Sequence, residues 1–148
     1  MYTVNPKNNR VQEIWHNHRE TRIYTSVASA WHSDGKRVVF LSDMKDRYGL
    51  YLLTPGEKKP KLLTNDLFDV TSKPVINSTS KRIFFQSNEP SPYERHIYYL
   101  TEKDEISTRV SSLPGQHRSY PSPDGMKVAL LHSSDMSPTE LYLKDTRN

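Results

Sequence analysis

At 148 residues the chain has the size of a single domain, and with no cysteine it excludes disulfides, thiolate metal sites and thiol chemistry. Apolar residues make up only 34% of the chain and the mean hydropathy is −0.81, yet nine Tyr, four Phe and two Trp supply enough large apolar surface to exclude a disordered polymer. The net charge of +4 comes from basic residues that are scattered rather than gathered on one face among aromatics, which excludes a nucleic-acid partner, and no apolar run approaches the roughly 18 residues of a membrane span.

From the N-terminus, Arg10 to Trp15 reads as the closing strand of a unit that begins earlier, and Ile23 to Ala30 leads into the first full unit. His16 and His18 lie two apart and would share one face of a strand, but no third ligand is near, so they read as an exposed strand end or loop rather than a metal site. "AWHSDGKRVVF" (Ala30 to Phe40) then sets a phrase that returns as "VINSTSKRIFF" and as "YPSPDGMKVAL". Gly35, Ser80 and Gly125 hold the same place in it, at intervals of 45 residues. Each phrase is a turn, a basic residue (Lys36, Lys81, Lys127) and a run of β-formers. Asp-Gly between apolar runs is a hairpin signal, because Gly accepts positive φ and Asp bonds its own backbone.

A second strand follows each phrase: Leu50 to Leu53, Ile97 to Leu100 and Leu141 to Leu143, with Tyr51, Tyr98 and Tyr142 in second place. Polar loops of variable length (Ser42 to Tyr48, Ser87 to Arg95, Ser133 to Thr139) separate the two halves. A fourth strand is expected at Lys61 to Thr64 and, more weakly, at Thr108 to Ser111. Lys58, Lys59 and Lys61 sit among Pro and Gly and read as a solvated turn.

Four short antiparallel strands repeating at about 40–45 residues are the pattern of a propeller blade. The expectation is therefore all-β: a partial β-propeller of four-stranded antiparallel blades, residues 1–148 forming one domain. Within it, 1–28 would close a preceding blade, 29–71 and 72–116 would be blades, and 117–148 a nearly complete one. Closed propellers need about four to eight blades, so the ring would be finished by further sequence or by another copy. Trp31, Tyr51, Tyr98, Tyr99, Tyr120 and Tyr142 recur at equivalent places, which points to packing between blades rather than ligand stacking. His32 is expected to bond within its hairpin, His96, His117 and His132 are far apart in sequence, and the sequon Asn77-Ser78-Thr79 falls on a turn where it reads as coincidental.

"WHSDGKRVVFLSDMKDRYGLYLLTPGEKKPKLLT" resembles the propeller repeats of TolB-like proteins and of the prolyl oligopeptidase clan. The order of the next two units, with Ser87-Asn88-Glu89, Arg95 to Tyr99, Ser137-Pro138 and Leu141-Tyr142, is similar to the last blades of dipeptidyl peptidase IV-type serine peptidases. The resemblance runs from about Val27 to Asn148. It implies a propeller that caps an α/β-hydrolase domain bearing a Ser-Asp-His triad and limits substrates to short peptides. The family's glutamates for the substrate amino terminus lie upstream of these blades, so neither Glu89 nor Glu94 takes that role.

None of the five glycines forms the G-x-S-x-G elbow of such a hydrolase. The resulting expectation is a non-catalytic propeller segment with no catalytic, metal or cofactor-binding residue and no cofactor. Its partners would be a C-terminal hydrolase domain, peptide substrates and, through its open faces, further copies of itself. The alternative is a TolB-like or sensor propeller that binds a protein partner without any enzymatic domain. The cysteine count leaves the compartment open, with the periplasm or cell exterior expected for a parent peptidase and any targeting segment lying outside this sequence.

Overall fold

Runs of β-branched and aromatic residues, broken by Gly, Pro and Asp, become strands throughout the computed structural model, which describes residues 1–16, 28–104 and 106–147. The strands are β1 (Tyr2–Asn5), β2 (Arg10–Glu13), β3 (Ser29–Trp31), β4 (Val38–Ser42), β5 (Gly49–Leu53), β6 (Lys61–Leu62), β7 (Val75–Asn77), β8 (Arg82–Ser87), β9 (His96–Leu100), β10 (Thr108–Arg109), β11 (Gln116–Pro121), β12 (Lys127–Ser134) and β13 (Ser137–Asp145). They form four antiparallel sheets in chain order: the hairpin β1–β2, a first blade β3–β4–β5–β6, a second blade β7–β8–β9–β10 and a third blade β11–β12–β13. No helix occurs among the described residues.

The central strands are buried along their whole length, since Val38 to Ser42 and Gly49 to Leu53 are all buried. A strand covered on one face alternates apolar with polar, whereas one covered on both reads as a continuous apolar run. Strand parity then divides each run between two neighbours. In the first blade Val39, Leu41, Leu50 and Leu52 face forward and join Ile83, Phe85, Tyr98 and Leu100 of the second. The second blade sends Phe84 and Ile97 forward against Val128 and Leu130 of the third. Backward from the first blade, Phe40, Tyr51 and Leu53 receive Met1, Ile14 and Trp15, with Trp15 and Phe40 rings 4.8 Å apart. The sheets therefore stack face to face like slices, each unable to bury both faces alone.

Several elements differ from the sequence reading. Arg10 to Glu13 does form a strand, but it pairs with Tyr2–Asn5 in a hairpin of its own, and the amides of Ile14 and Trp15 turn back to the carbonyl of Met1. Residues 23–27 of the expected lead-in lie outside the described residues. The loop expected from Ser133 to Thr139 is a hairpin: β12 and β13 run into it, leaving only Asp135 and Met136 at the tip, with a register shift between His132 and Ser134. Among the aromatics, Tyr51 and Tyr98 are buried as expected, but Trp31 and Tyr120 are each 57% exposed, because they point from the first blade backward and from the third forward.

Candidate functional site

Besides apolar packing, neighbouring blades are linked by polar contacts at the hairpin turns and by a column of buried rings at the other end of the sheets. In the first turn Gly35 (φ +67°) gives its amide to His32 O, while Asp34 accepts from the amides of Lys36 and Arg37 and from the Arg37 guanidinium. Burial pushes the Asp34 carboxyl up, but those donors outweigh it and hold it well below the usual carboxylate range. His32 is buried here, with its amide on Arg37 O and Nδ1 3.1 Å from Asp34. Arg37 also makes a two-pronged bond to Glu102 of the next blade, and that guanidinium lowers the Glu102 pKa.

The same slot in the second blade holds Arg82. It donates to Gly125 O (2.9 Å) and Thr146 Oγ1 (2.6 Å) of the third blade and lies 4.3 Å over the Tyr99 ring. The recurring lysines marked in the sequence, Lys36 and Lys81, are exposed; the arginines beside them reach across. The Lys-Arg dipeptide spaced by 45 residues was the available signal. In the second turn the left-handed residue is Lys81 (φ +57°) rather than Ser80, because Asn77 Oδ1 takes both the Ser80 amide and its hydroxyl. Asn77 Nδ2 donates to Ser122 O and Pro123 O at 3.0 and 3.1 Å. That is the atom a glycan would occupy, so the sequon serves as a buried cross-blade bond.

The buried rings lie at the opposite end of the same joint. His96, His117 and His132, 0%, 2% and 6% exposed, stack in a column with ring centroids 5.1 and 4.7 Å apart, and Tyr142 closes it edge-on to His132 at 5.9 Å. His96 belongs to β9, His117 to β11 and His132 to β12, so the column crosses from the second blade to the third. Sequence distance concealed it, since the three lie on different strands and only the stacking of blades brings their rings together. His117 Nδ1 donates to Arg95 O (2.9 Å) and His132 Nε2 to Pro114 O (2.9 Å). Burial is the main cause that lowers the His117 pKa, reinforced by the charges of His132, His96 and Arg109.

His96 is flanked by Glu94 Oε2 (2.5 Å from Nε2) and Ser111 Oγ (2.9 Å from Nδ1). Carboxylate, imidazole and hydroxyl in that order are the residue types of a hydrolytic triad. The surroundings assign them a structural role instead. Ser111 is 2% exposed and its Oγ accepts the Ile97 amide at 3.0 Å. The cleft of about 530 Å³ beside the column is lined by Arg95, His117, Arg118 and His132 but not by Ser111. Arg109 Nη2, 2.9 and 3.0 Å from the two ring nitrogens of His96, lies over the ring face rather than in line with either.

Glu94 is thus tied to His96, and Glu89 accepts the Tyr98 hydroxyl through its backbone carbonyl at 3.0 Å. Burial first, then the Glu89 carboxylate, pushes the Tyr98 phenol up to about 12. His16 is exposed, 3.5 Å from Glu13, and His18 lies outside the described residues. Among the described residues no group of three or more His, Asp or Glu is arranged to hold a metal ion.

The blade stack places the chain among known proteins. Residues 2–139 match the family described as the dipeptidyl peptidase IV (DPP IV) N-terminal region. The chain belongs to the DPP IV N-terminal region family. Its fold is similar to that of dipeptidyl peptidase 4 from Porphyromonas gingivalis, with a TM-score of 0.81 at 23% identity, over 99% of this chain and 21% of that one. It is also similar to TolB from Acinetobacter baumannii, with a TM-score of 0.70 at 20% identity, over 97% of this chain and 34% of that one. This DPP IV N-terminal region chain thus spans about a fifth and a third of the two proteins it resembles, and at these identities the likeness is one of fold.

Proposed function

We propose that these blades belong to a dipeptidyl peptidase IV-like serine exopeptidase, in which they shape and gate the path of short peptides to a hydrolase domain carried elsewhere in the parent protein. The observation that carries this reading is the family match over residues 2–139. The physical role follows from the stack: sheets buried on both faces make a stiff wall with little internal slack, suited to excluding large substrates. On this reading the chain contributes no nucleophile, and its partners are the hydrolase domain and the peptide. The likeness in fold to TolB favours a second reading, a propeller that binds a protein partner with no enzymatic domain attached.

Turnover of a dipeptidyl p-nitroanilide separates the two. The 148-residue chain alone should release no nitroaniline, while the parent protein should release it and lose that activity when its G-x-S-x-G serine is replaced by alanine. A parent without that elbow, inactive on the substrate, would establish the second reading. Clear turnover by the chain alone would overturn both.

A further inference from the structure

The histidine column is not something the fold demands. In the ladder between the second and third strands of each blade, the position of His132 and Glu140 is held by Ser87 and His96 in the second blade and by Ser42 and Gly49 in the first. Serine fills that slot twice, buried both times. The imidazoles are confined to one joint, where they meet backbone bonds that sew two blades together: the Arg95 amide donates to Gly115 O and the His117 amide to Arg95 O, both at 3.0 Å. Arg95 O therefore accepts two hydrogen bonds from His117, one from the backbone and one from the ring.

From these contacts we infer that the seam between the second and third blades is an acid-labile joint, opened when His117 takes up a second proton. With Nδ1–H committed to Arg95 O, the incoming proton must go to Nε2. Its surroundings offer that charge little. From β9 and the residues before it come His96, Arg95 and Glu94, whose carboxylate is held by His96. From β10 comes Arg109, over the His96 ring. β11 itself adds Arg118, β12 adds His132, and β13 adds Glu140 and Tyr142, bonded to each other. β8 contributes the neutral Gln86, which donates to His117 O at 2.5 Å. Both acids are engaged, and the nearest guanidinium, that of Arg109, is itself cationic. The Nδ1–H bond to Arg95 O favours the charged ring, but burial outweighs it, and the charge at Nε2 is relieved only when water from the adjoining cleft enters between the two blades and opens the seam.

The sign follows from linkage. Burial lowers the folded-state pKa of His117 below the ordinary 6.5. Unfolded or opened chains then bind the extra proton more readily, so the joint is intact above pH 6.5 and loses stability as pH falls below it.

Amide exchange on the full chain tests this. Protection factors, which already correct for intrinsic exchange, are compared at pH 7.5 and 5.5 for the joint amides of Arg95 and His117 and for the first-blade amides of Val39 and Leu52. Joint protection should fall by several-fold, up to the limit of about tenfold that one proton at one imidazole allows over this range, while the first blade holds. His117→Asn keeps a donor in the Nδ1 position and removes the titration, so its joint protection should change by no more than about twofold over the same range. Equal protection of the joint at both pH values in the wild type, or a loss that persists in His117→Asn, overturns the inference. Should that variant not fold, NMR titration of the wild-type imidazoles decides. A His117 midpoint below that of free imidazole, raised when His132 is replaced by Gln, supports the joint; a midpoint at or above free imidazole overturns it.

Discussion

The two Asp-Gly turns show how one residue type answers to two environments. Gly35 and Gly125 occupy the same place in the repeat and share a left-handed φ, +67° and +70°. A Cβ on Gly35 would meet nothing within 4 Å, so Gly35→Ala carries only the backbone penalty of that conformation, about 1 kcal/mol. A Cβ on Gly125 would collide with Ser80 Oγ and the Asn77 side chain of the neighbouring turn, both fixed in the cross-blade network. Gly125→Ala should therefore cost appreciably more, about 2–4 kcal/mol. Urea denaturation of the two variants checks the ordering, and equal costs would mean that the turns do not clasp as described. The turn word itself was plain in the sequence; that one copy is free and the other gripped depends on Asn77, 48 residues away in the chain, and no local pattern carries that information.

At the level of elements, period-two parity decides which blade a side chain serves. Leu52 and Leu143 follow Tyr51 and Tyr142 in equivalent strands and both point forward. Leu52 is 3% exposed against the second blade, whereas Leu143 is 70% exposed because no described sheet lies beyond it. Leu52→Ala should cost about 3 kcal/mol and Leu143→Ala, in dilute solution, less than about 0.5 kcal/mol. Chemical denaturation gives both numbers, and similar losses would contradict the order of sheets. This rule also explains what was legible beforehand. The strands of the first two blades, the tyrosines in second place and the blade architecture follow from a repeated pattern of apolar residues, which is local. The β12–β13 hairpin was hidden because Ser133 to Thr139 is polar, yet its ladder lies on an exposed face where polarity costs nothing. The histidine column was hidden for a different reason: it is assembled by stacking, and its members share no sequence window. The arginine clasps lay between these cases, visible as a repeated dipeptide but ambiguous as to which basic residue turns inward.

For the whole molecule, the consequence of stacking is that its last member is left half-covered. The forward face of the third blade presents Tyr120, Leu141 and Leu143, 57%, 70% and 70% exposed, with Ala129 and Leu131 between them. One blade back, the positions of Leu141, Leu143 and Ala129 are filled by Ile97, Tyr99 and Phe84, which pack against the third blade. A contiguous apolar face of this kind marks a surface built to be covered. In a closed ring the following sheet covers it; in a solution of this chain the available cover is another copy, whose hairpin β1–β2 likewise exposes Tyr2, Val4 and Val11. Such a contact joins unlike faces and so need not stop at two. Light scattering after size exclusion should find species above the monomer mass that dissociate on dilution. Replacing Leu141 and Leu143 together by Thr keeps strand propensity and removes the apolar surface, and should return the chain to a monomer with its melting temperature shifted by no more than about 2 °C. A wild-type chain that is monomeric at high concentration, with a sharp thermal transition, would mean that the exposed face is tolerated by water and that the stack is stable without a cover.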